Sequence, residues 1–255
     1  MSHSPDEKPC RTEGPGSSGR GEAKPLRRMF AGVPDRYDLV NRLFTLRFDE
    51  RWRSLAAREI LRHSPTRVLD AGSGTGDLVL HLARQLPVQT EIIGADFSEP
   101  MLSVAMKKVS RAGFRGRIGL VCTDVSNLCF PDDHFDIVSL AFAFRNLVWR
   151  NPIAEKCLAE MVRVLRPGGK IVIVESSQPG SGFLKFWYHA YLKMVVPRLG
   201  DFLSGEGGAY RYLAESARLF LNPEEVEALL AKSGFKGIRH RSLLGGVAAL
   251  HVGEK

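Results

Sequence analysis

Asp70, Gly72, Gly74, Gly76 and Asp77 fall within eight residues, directly after the apolar pair Val68 and Leu69. Glycines at alternate positions make a turn whose backbone can approach a ligand closely, and such a turn after a strand usually holds a nucleotide. The dinucleotide pattern G-x-G-x-x-G puts its third glycine where Asp77 stands here. A helix N-terminus attracts a pyrophosphate, but Asp77 already sets a carboxylate there and Asp70 adds another just before the loop. The spacing therefore predicts a ligand that carries positive charge in place of phosphate. S-adenosylmethionine, with a sulfonium and an ammonium group, has that character.

Asp96 ends the next apolar run, twenty residues beyond Gly76, where a carboxylate can accept hydrogen bonds from both ribose hydroxyls. Asp124, followed by Val125, ends the third run and can receive the adenine amino group. A lone aspartate at a strand end usually caps a turn; three in order around one glycine loop make a coherent site. The expected cofactor contacts are Asp70, Gly72, Gly74, Thr75, Asp96, Asp124 and Val125, with Ala141 added by the resemblance described below. Cys10, Cys122, Cys129 and Cys157 form no C-x-x-C pair and no cluster with histidine, so no metal is expected and the thiols read as free in a reducing cytoplasm.

The elements that must hold these residues alternate. TRVLDAG, EIIGADFS, RIGLVCTD, FDIVSLAFAF and KIVIVES read as strands. DLVLHLARQL, PMLSVAMKKVSRAG and IAEKCLAEMVRVL read as helices, the last closed by the turn RPGG. Alternation of this kind implies α/β architecture, a parallel sheet with helices on both faces. NPEEVEALLAKSGF predicts a capped helix from Asn222 to Gly234, and the strands GIRHRSLL and GVAALHVG follow. Residues 35–62 are expected to form a helical cap over one end of the sheet, and 181–220 an aromatic-rich insertion acting as a lid.

Composition limits the partners. The chain has 255 residues and a formal charge of +8, of which the first 28 residues carry six basic and four acidic groups. The rest keeps a mild positive bias without a dense Lys/Arg run, which suits an anionic surface better than RNA. Residues 1–25 hold twelve Ser, Gly or Pro and almost no large apolar side chain, so they are expected to be disordered, with 26–255 forming the domain. No run of about 18 apolar residues exists to span a bilayer.

Several stretches carry a more specific resemblance. YDLVNRLFTLRFDERW (37–52), FAFRN (142–146), RVLRPGGKIVIVESS (163–177), YRYLAESARLF (210–220) and the C-terminal GGVAALHVGEK are similar to the ubiquinone/menaquinone biosynthesis C-methyltransferases. These are class I S-adenosylmethionine-dependent enzymes with a Rossmann-like, seven-stranded, mostly parallel sheet. The similarity runs from about residue 29 to 255. It departs from the family at Asp49, where a histidine is usual, at Thr45 for serine, at Ala143 for the glycine of F-G-x-R-N, and at Ala141 for a serine that leaves only backbone to meet the cofactor.

The resemblance implies methyl transfer to a ring carbon of a polyprenyl quinol, demethylmenaquinol or a methoxy-polyprenyl benzoquinol. Asp49 and the D-E-R-W run lean towards the first. A ring carbon becomes nucleophilic when the neighbouring hydroxyl loses its proton, which a phenol does unaided only near pH ~10. Arg145 and Asn146 are expected beside that oxygen as oxyanion donors, with Tyr37 and Asp38 lining the pocket, Asp38 as base or as a helix cap. Of seven histidines only His189 lies in the lid. The run FLKFWYHAYLKMVVPRL, edged by Lys185, Lys193 and Arg198, fits a tail channel, a membrane-facing surface or a core helix. The expected setting is cytoplasmic, peripheral at the inner face of the membrane, with a homodimer left open. A methyltransferase acting on nitrogen or oxygen, and a silent scaffold that keeps the cofactor, remain as alternatives.

Overall fold

The computed structural model describes residue 38 and residues 41–204 and 207–255. Tyr37, the first 25 residues and Cys10 lie outside these described residues. The described chain runs α1 (Phe48–Leu61), β1 (Arg67–Ala71), α2 (Asp77–Gln85), β2 (Glu91–Asp96), α3 (Glu99–Arg111), β3 (Ile118–Cys122), β4 (Phe135–Ala141), α4 (Phe144–Val148) and α5 (Ala154–Val164). It continues with β5 (Leu165–Ser176), α6 (Gly182–Met194), α7 (Val196–Ser204), α8 (Gly207–Arg218), α9 (Pro223–Lys232), β6 (Lys236–Leu243) and β7 (Ala248–Glu254).

The seven strands lie in the order β3-β2-β1-β4-β5-β7-β6. Pairs among β1 to β5 are parallel, and β7 runs antiparallel to both β5 and β6. Strand order reverses between β1 and β4, the place where open α/β sheets bind ligands at their carboxyl ends. Period-two alternation divides the core: Val68, Ile137 and Val172 pack towards α1 and α2, whereas Leu69, Val138 and Ile173 pack towards α5 and α9.

The helix ends follow their sequence signals. Pro100 sits in the first turn of α3 and Gly113, at φ 79°, lies past its end. Asn222 and Glu225 form a reciprocal capping box on α9, closed by Gly234 at φ 101°.

Three expectations are corrected. The strand from Phe135 stops at Ala141, because Phe142 turns left-handed (φ 59°) and α4 starts two residues later. The RPGG segment belongs to β5, with Gly168 (φ 75°) absorbing the bend and Gly169 bonded to the backbone of Lys255. The cap does not sit only at the sheet's end: Trp52, Ala56, Ala57 and Ile60 make one apolar stripe that lays α1 on the sheet face beside α2. The chain before α1 reaches the glycine loop, through Asp38 and Arg42.

The insertion has its own small core. Leu192 and Val196 of α6 and α7 pack with Tyr210, Ala214 and Ala217 of α8 and with Phe44 from the segment before α1. The Tyr191 hydroxyl donates to the Phe44 carbonyl at 2.8 Å, tying insertion to cap.

Candidate active site

β1 ends in Asp70 and Ala71, and the loop that follows turns back through Gly72, Gly74 and Gly76, all left-handed at φ 76°, 52° and 82°. The amides of Gly72 and Ser73 donate to the Ala95 carbonyl, which fastens the loop to β2. Asp96, at the end of β2, accepts from the Gly74 amide at 2.9 Å and from the Ser98 amide at 2.9 Å. Burial raises the pKa of Asp96, and the two amides oppose that shift. Asp70 is 1% exposed, and burial pushes its carboxyl up to about 7; Ser139 Oγ, at 3.3 Å, works the other way.

A buried carboxyl of this kind is complementary to a cation. The buried Ser73 hydroxyl has no partner among the described residues, and open space lies on the side of Gly74 where a Cβ would stand. These residues fit S-adenosylmethionine: Asp70 for its positive charge, Asp96 for a vicinal diol, and loop backbone for close approach.

Other expected contacts are placed differently. Asp124 accepts from the Ser126 amide at 2.9 Å and so caps a short 3-10 turn, Val125–Asn127. The Val125 side chain is core, packed on the α5 face, and leaves only its backbone towards a ligand. Ala141 is half-buried at the end of β4. The Thr75 hydroxyl donates to Asp38 at 2.6 Å, and Lys108 donates both to Asp38 at 2.7 Å and to Thr75 at 3.2 Å. Asp38 is thus engaged at the glycine loop, where it ties the start of the cap to α3. Asp77, expected to repel a phosphate, is neutralised by Lys108 and by Arg42 at 3.5 Å. α3 comes close enough for this because Ala105 packs where a Cβ on Gly76 would reach 3.0 Å. Any discrimination against phosphate therefore rests on Asp70 and Asp96.

Two departures from the family pattern, Thr45 and Asp49, are in contact. Asp49 is 2% exposed, accepting from the Thr45 hydroxyl at 2.6 Å and from Arg53 at 2.5 Å. The Arg53 guanidinium lies over the Phe142 ring, 5.2 Å from its centre. Asp49 consequently supports the turn before α4.

The turn at Phe142 places Arg145 and Asn146 in the first residues of α4, at the carboxyl ends of β4 and β5. Arg145 is 5% exposed; its amide donates to Glu175 Oε2 at 3.0 Å and its Nη1 to the Ser176 hydroxyl at 3.3 Å. Arg145 Nε, Asn146 Oδ1 and Ser177 Oγ are all buried without a partner among the described residues. Ala143, two residues before Arg145, fills the space beside the glycine loop: a Cβ on Gly72 would lie 2.7 Å from the Ala143 Cβ. The cofactor loop and the Arg145 turn are in direct contact.

α6 approaches the same end. Burial pushes the Tyr188 phenol up to about 12, while Arg145 lowers and Glu175 raises it, so this side chain faces both charges. His189 bonds to Gln178 Oε1 at 2.9 Å, and Gln178 also donates to the Ala217 carbonyl of α8. His189 therefore fastens α6 to the end of β5. Glu175, Ser176, Ser177 and Tyr188 were missed by reasoning from the sequence. Glu175 had a usable signal, an acidic residue ending an apolar strand just as Asp96 does.

This arrangement, a glycine loop and two acidic strand ends on a seven-stranded sheet, can be set against known proteins. Residues 18–255 match the ubiE/COQ5 methyltransferase family. The chain belongs to that family. It is 43% identical to the demethylmenaquinone methyltransferase of Thermus thermophilus over 227 residues, which is 89% of this chain and all of that one. It is 42% identical to the ubiquinone/menaquinone biosynthesis C-methyltransferase of Geobacter sulfurreducens, covering 90% of this chain and 88% of the relative. Among solved structures, a SAM-dependent methyltransferase from Aquifex aeolicus superposes with a TM-score of 0.54 at 18% identity, over 78% of this chain and 88% of that one, a likeness of fold. The protein is a class I methyltransferase whose cofactor is S-adenosylmethionine.

Proposed function

We propose that this methyltransferase alkylates a ring carbon of a polyprenyl quinol, with demethylmenaquinol as the acceptor. One observation carries the reading: the buried, unpartnered Arg145 Nε, Asn146 Oδ1 and Ser177 Oγ stand at the strand ends adjoining the glycine loop, joined to it by the Ala143–Gly72 contact. The names of the relatives favour the naphthoquinol over the methoxy-benzoquinol.

When bound, S-adenosylmethionine supplies an electrophilic methyl on a positively charged sulfur. Asp70 and Asp96 hold its two ends from β1 and β2. Arg145 donates to the quinol oxygen as negative charge develops there, since a guanidinium is charged at every relevant pH. Asn146 Oδ1 accepts from a quinol hydroxyl and fixes the ring's orientation. The helices α6 to α8 act as a lid that excludes water, which favours a reaction that disperses charge, and alignment of methyl and carbon supplies further acceleration.

The outer face of α6 exposes Phe183, Phe186 and Trp187 at 76%, 66% and 56%, with Lys185 and Lys193 on the same helix. Among the described residues no helix is long and apolar enough to cross a membrane. Aromatic side chains on successive turns beside basic ones suit peripheral contact with an anionic bilayer, where a polyprenyl substrate resides.

The test is transfer of labelled methyl from S-adenosylmethionine to reduced demethylmenaquinone and to the methoxy-benzoquinol analogue, each in detergent and in vesicles. Label on the naphthoquinol ring carbon supports the reading, label on both acceptors broadens it, and cofactor binding without transfer overturns it. A Phe186→Ser, Trp187→Ser variant should lose rate in vesicles alone; equal rates in both media would remove the membrane contact.

A further inference from the structure

We propose that Glu175 is the proton acceptor for the quinol hydroxyl, acting through the hydroxyl of Ser176. The inference rests on the quinol reading above and supplies the base which that reading leaves open.

Glu175 ends β5 with only 2% of its surface exposed. Its Oε1 accepts from the Ser176 amide and from the Ser176 hydroxyl, both at 2.8 Å, and its Oε2 accepts from the Arg145 amide at 3.0 Å. Ser176 Oγ in turn accepts from Arg145 Nη1 at 3.3 Å. An unbroken line of hydrogen bonds therefore runs from the guanidinium through the serine hydroxyl to a buried carboxylate. A quinol oxygen that meets Arg145 also meets Ser176, whose own proton already points at Glu175. Asp38 is engaged with Lys108 and Thr75, and His189 with Gln178, which leaves Glu175 as the carboxylate bonded to the Arg145 turn.

The proton inventory balances. The quinol oxygen passes its proton to Ser176 Oγ as Ser176 passes its own to Glu175 Oε1, leaving a phenolate beside Arg145 and a neutral carboxyl. Electron density from the phenolate forms the bond between ring carbon and methyl, and the electron pair of the broken carbon–sulfur bond stays on sulfur. The ring carbon then loses its hydrogen to water as a proton, and Glu175 returns its proton through Ser176 to the oxygen. One proton is released for each methyl transferred. The groups facing Glu175 are Arg145 on α4 and Tyr188 on α6; Tyr188, pushed up to about 12 by burial, remains a neutral phenol near pH 7. β7, paired beside it, presents Ala248 and Ala249.

A purely structural account is available for the same carboxylate. Ala143 cannot cap α4 with its own side chain, and Glu175 would serve as a cap from the neighbouring strand. The two accounts differ in their pH dependence. Glu175→Gln keeps the shape and one acceptor oxygen, enough for the Arg145 amide, but turns an NH2 towards Ser176 and cannot take a proton. On the relay account its turnover falls by about 10²-fold at pH 7 and then climbs about tenfold per pH unit until that loss is recovered, roughly two units higher, as the phenol ionises unaided. Ser176→Ala, which leaves the bond to the Arg145 amide in place, should show the same climb. A cofactor-free readout uses a chromogenic nitrophenol bound to the protein: wild type should hold it ionised at a pH where both variants hold it neutral. Equal losses at every pH, or a Ser176→Ala profile like wild type, would overturn the relay. Absence of methyl transfer by wild-type protein would sink the quinol reading instead, and the nitrophenol spectra would still decide on Glu175.

Discussion

At the glycine loop, Asp96 accepts two backbone amides, and Asp38, Thr75, Asp77 and Lys108 close on one another; the Ser73 hydroxyl has no partner among the described residues. At the ends of β4 and β5, three polar groups from Arg145, Asn146 and Ser177 are buried and unpaired. Burying a polar group without a partner costs about 1–3 kcal/mol, so the second region carries a cost that the first largely avoids. The difference matches two tasks. On the proposed reading, the first region is a preformed cradle for the cofactor held by the sheet, and the second stores donors and an acceptor whose partners come with the substrate.

The largest effect that tests this contrast lies at the acceptor end. Arg145→Lys removes the planar fork and should lower kcat by roughly 10²–10³-fold, as loss of an oxyanion donor does, with cofactor affinity unchanged by calorimetry. Normal turnover would take Arg145 out of the reaction. Asp96→Ala should weaken cofactor binding at least tenfold, because two charge-assisted bonds to ribose are lost and the Gly74 and Ser98 amides lose their acceptor; an unchanged Kd would remove Asp96 from the site. The smallest effect concerns pH. Asp70, raised to about 7, is an anion above that pH and neutral below it, so affinity for the cationic cofactor should weaken by up to tenfold per unit as pH falls from 7 to 6. An Asp70→Asn variant should show a flat profile. A wild-type Kd constant from pH 6 to 8 would mean that the Asp70 charge does not attract the ligand.

How far the sequence discloses each region follows from the same contrast. The sheet and its helices were legible because period-two and helical spacing, Pro100, Gly113 and the Asn222 box are local signals. The placing of Asp70, Asp96 and Asp124 at strand ends was legible because each closes an apolar run. What failed was pairing across distance. Nothing in the spacing of Asp38, Thr75, Asp77 and Lys108 says that a cation from α3 will collect three neighbours, so the sequence, which offers Asp38 as a pocket base or a helix cap, gives no sign of this cluster. Phe142 was assigned to a strand because it is apolar, whereas its left-handed turn is imposed by tertiary packing beneath Arg53. Asp49 reads in the sequence as a departure from the usual histidine, and it is satisfied by Thr45 and Arg53.

The contact between Gly72 and Ala143 has a consequence for variation in such chains. One methyl group already occupies the space between the two loops, and a second, at Gly72, would arrive 2.7 Å away. The two positions thus share a single volume although they lie far apart in sequence, and the size allowed at one depends on what stands at the other. A chain with glycine at 143 would have a looser seam between its two loops. In this one the seam is filled by Ala143, so on the proposed reading a shift of the Arg145 turn on binding a quinol presses on the first glycine of the loop.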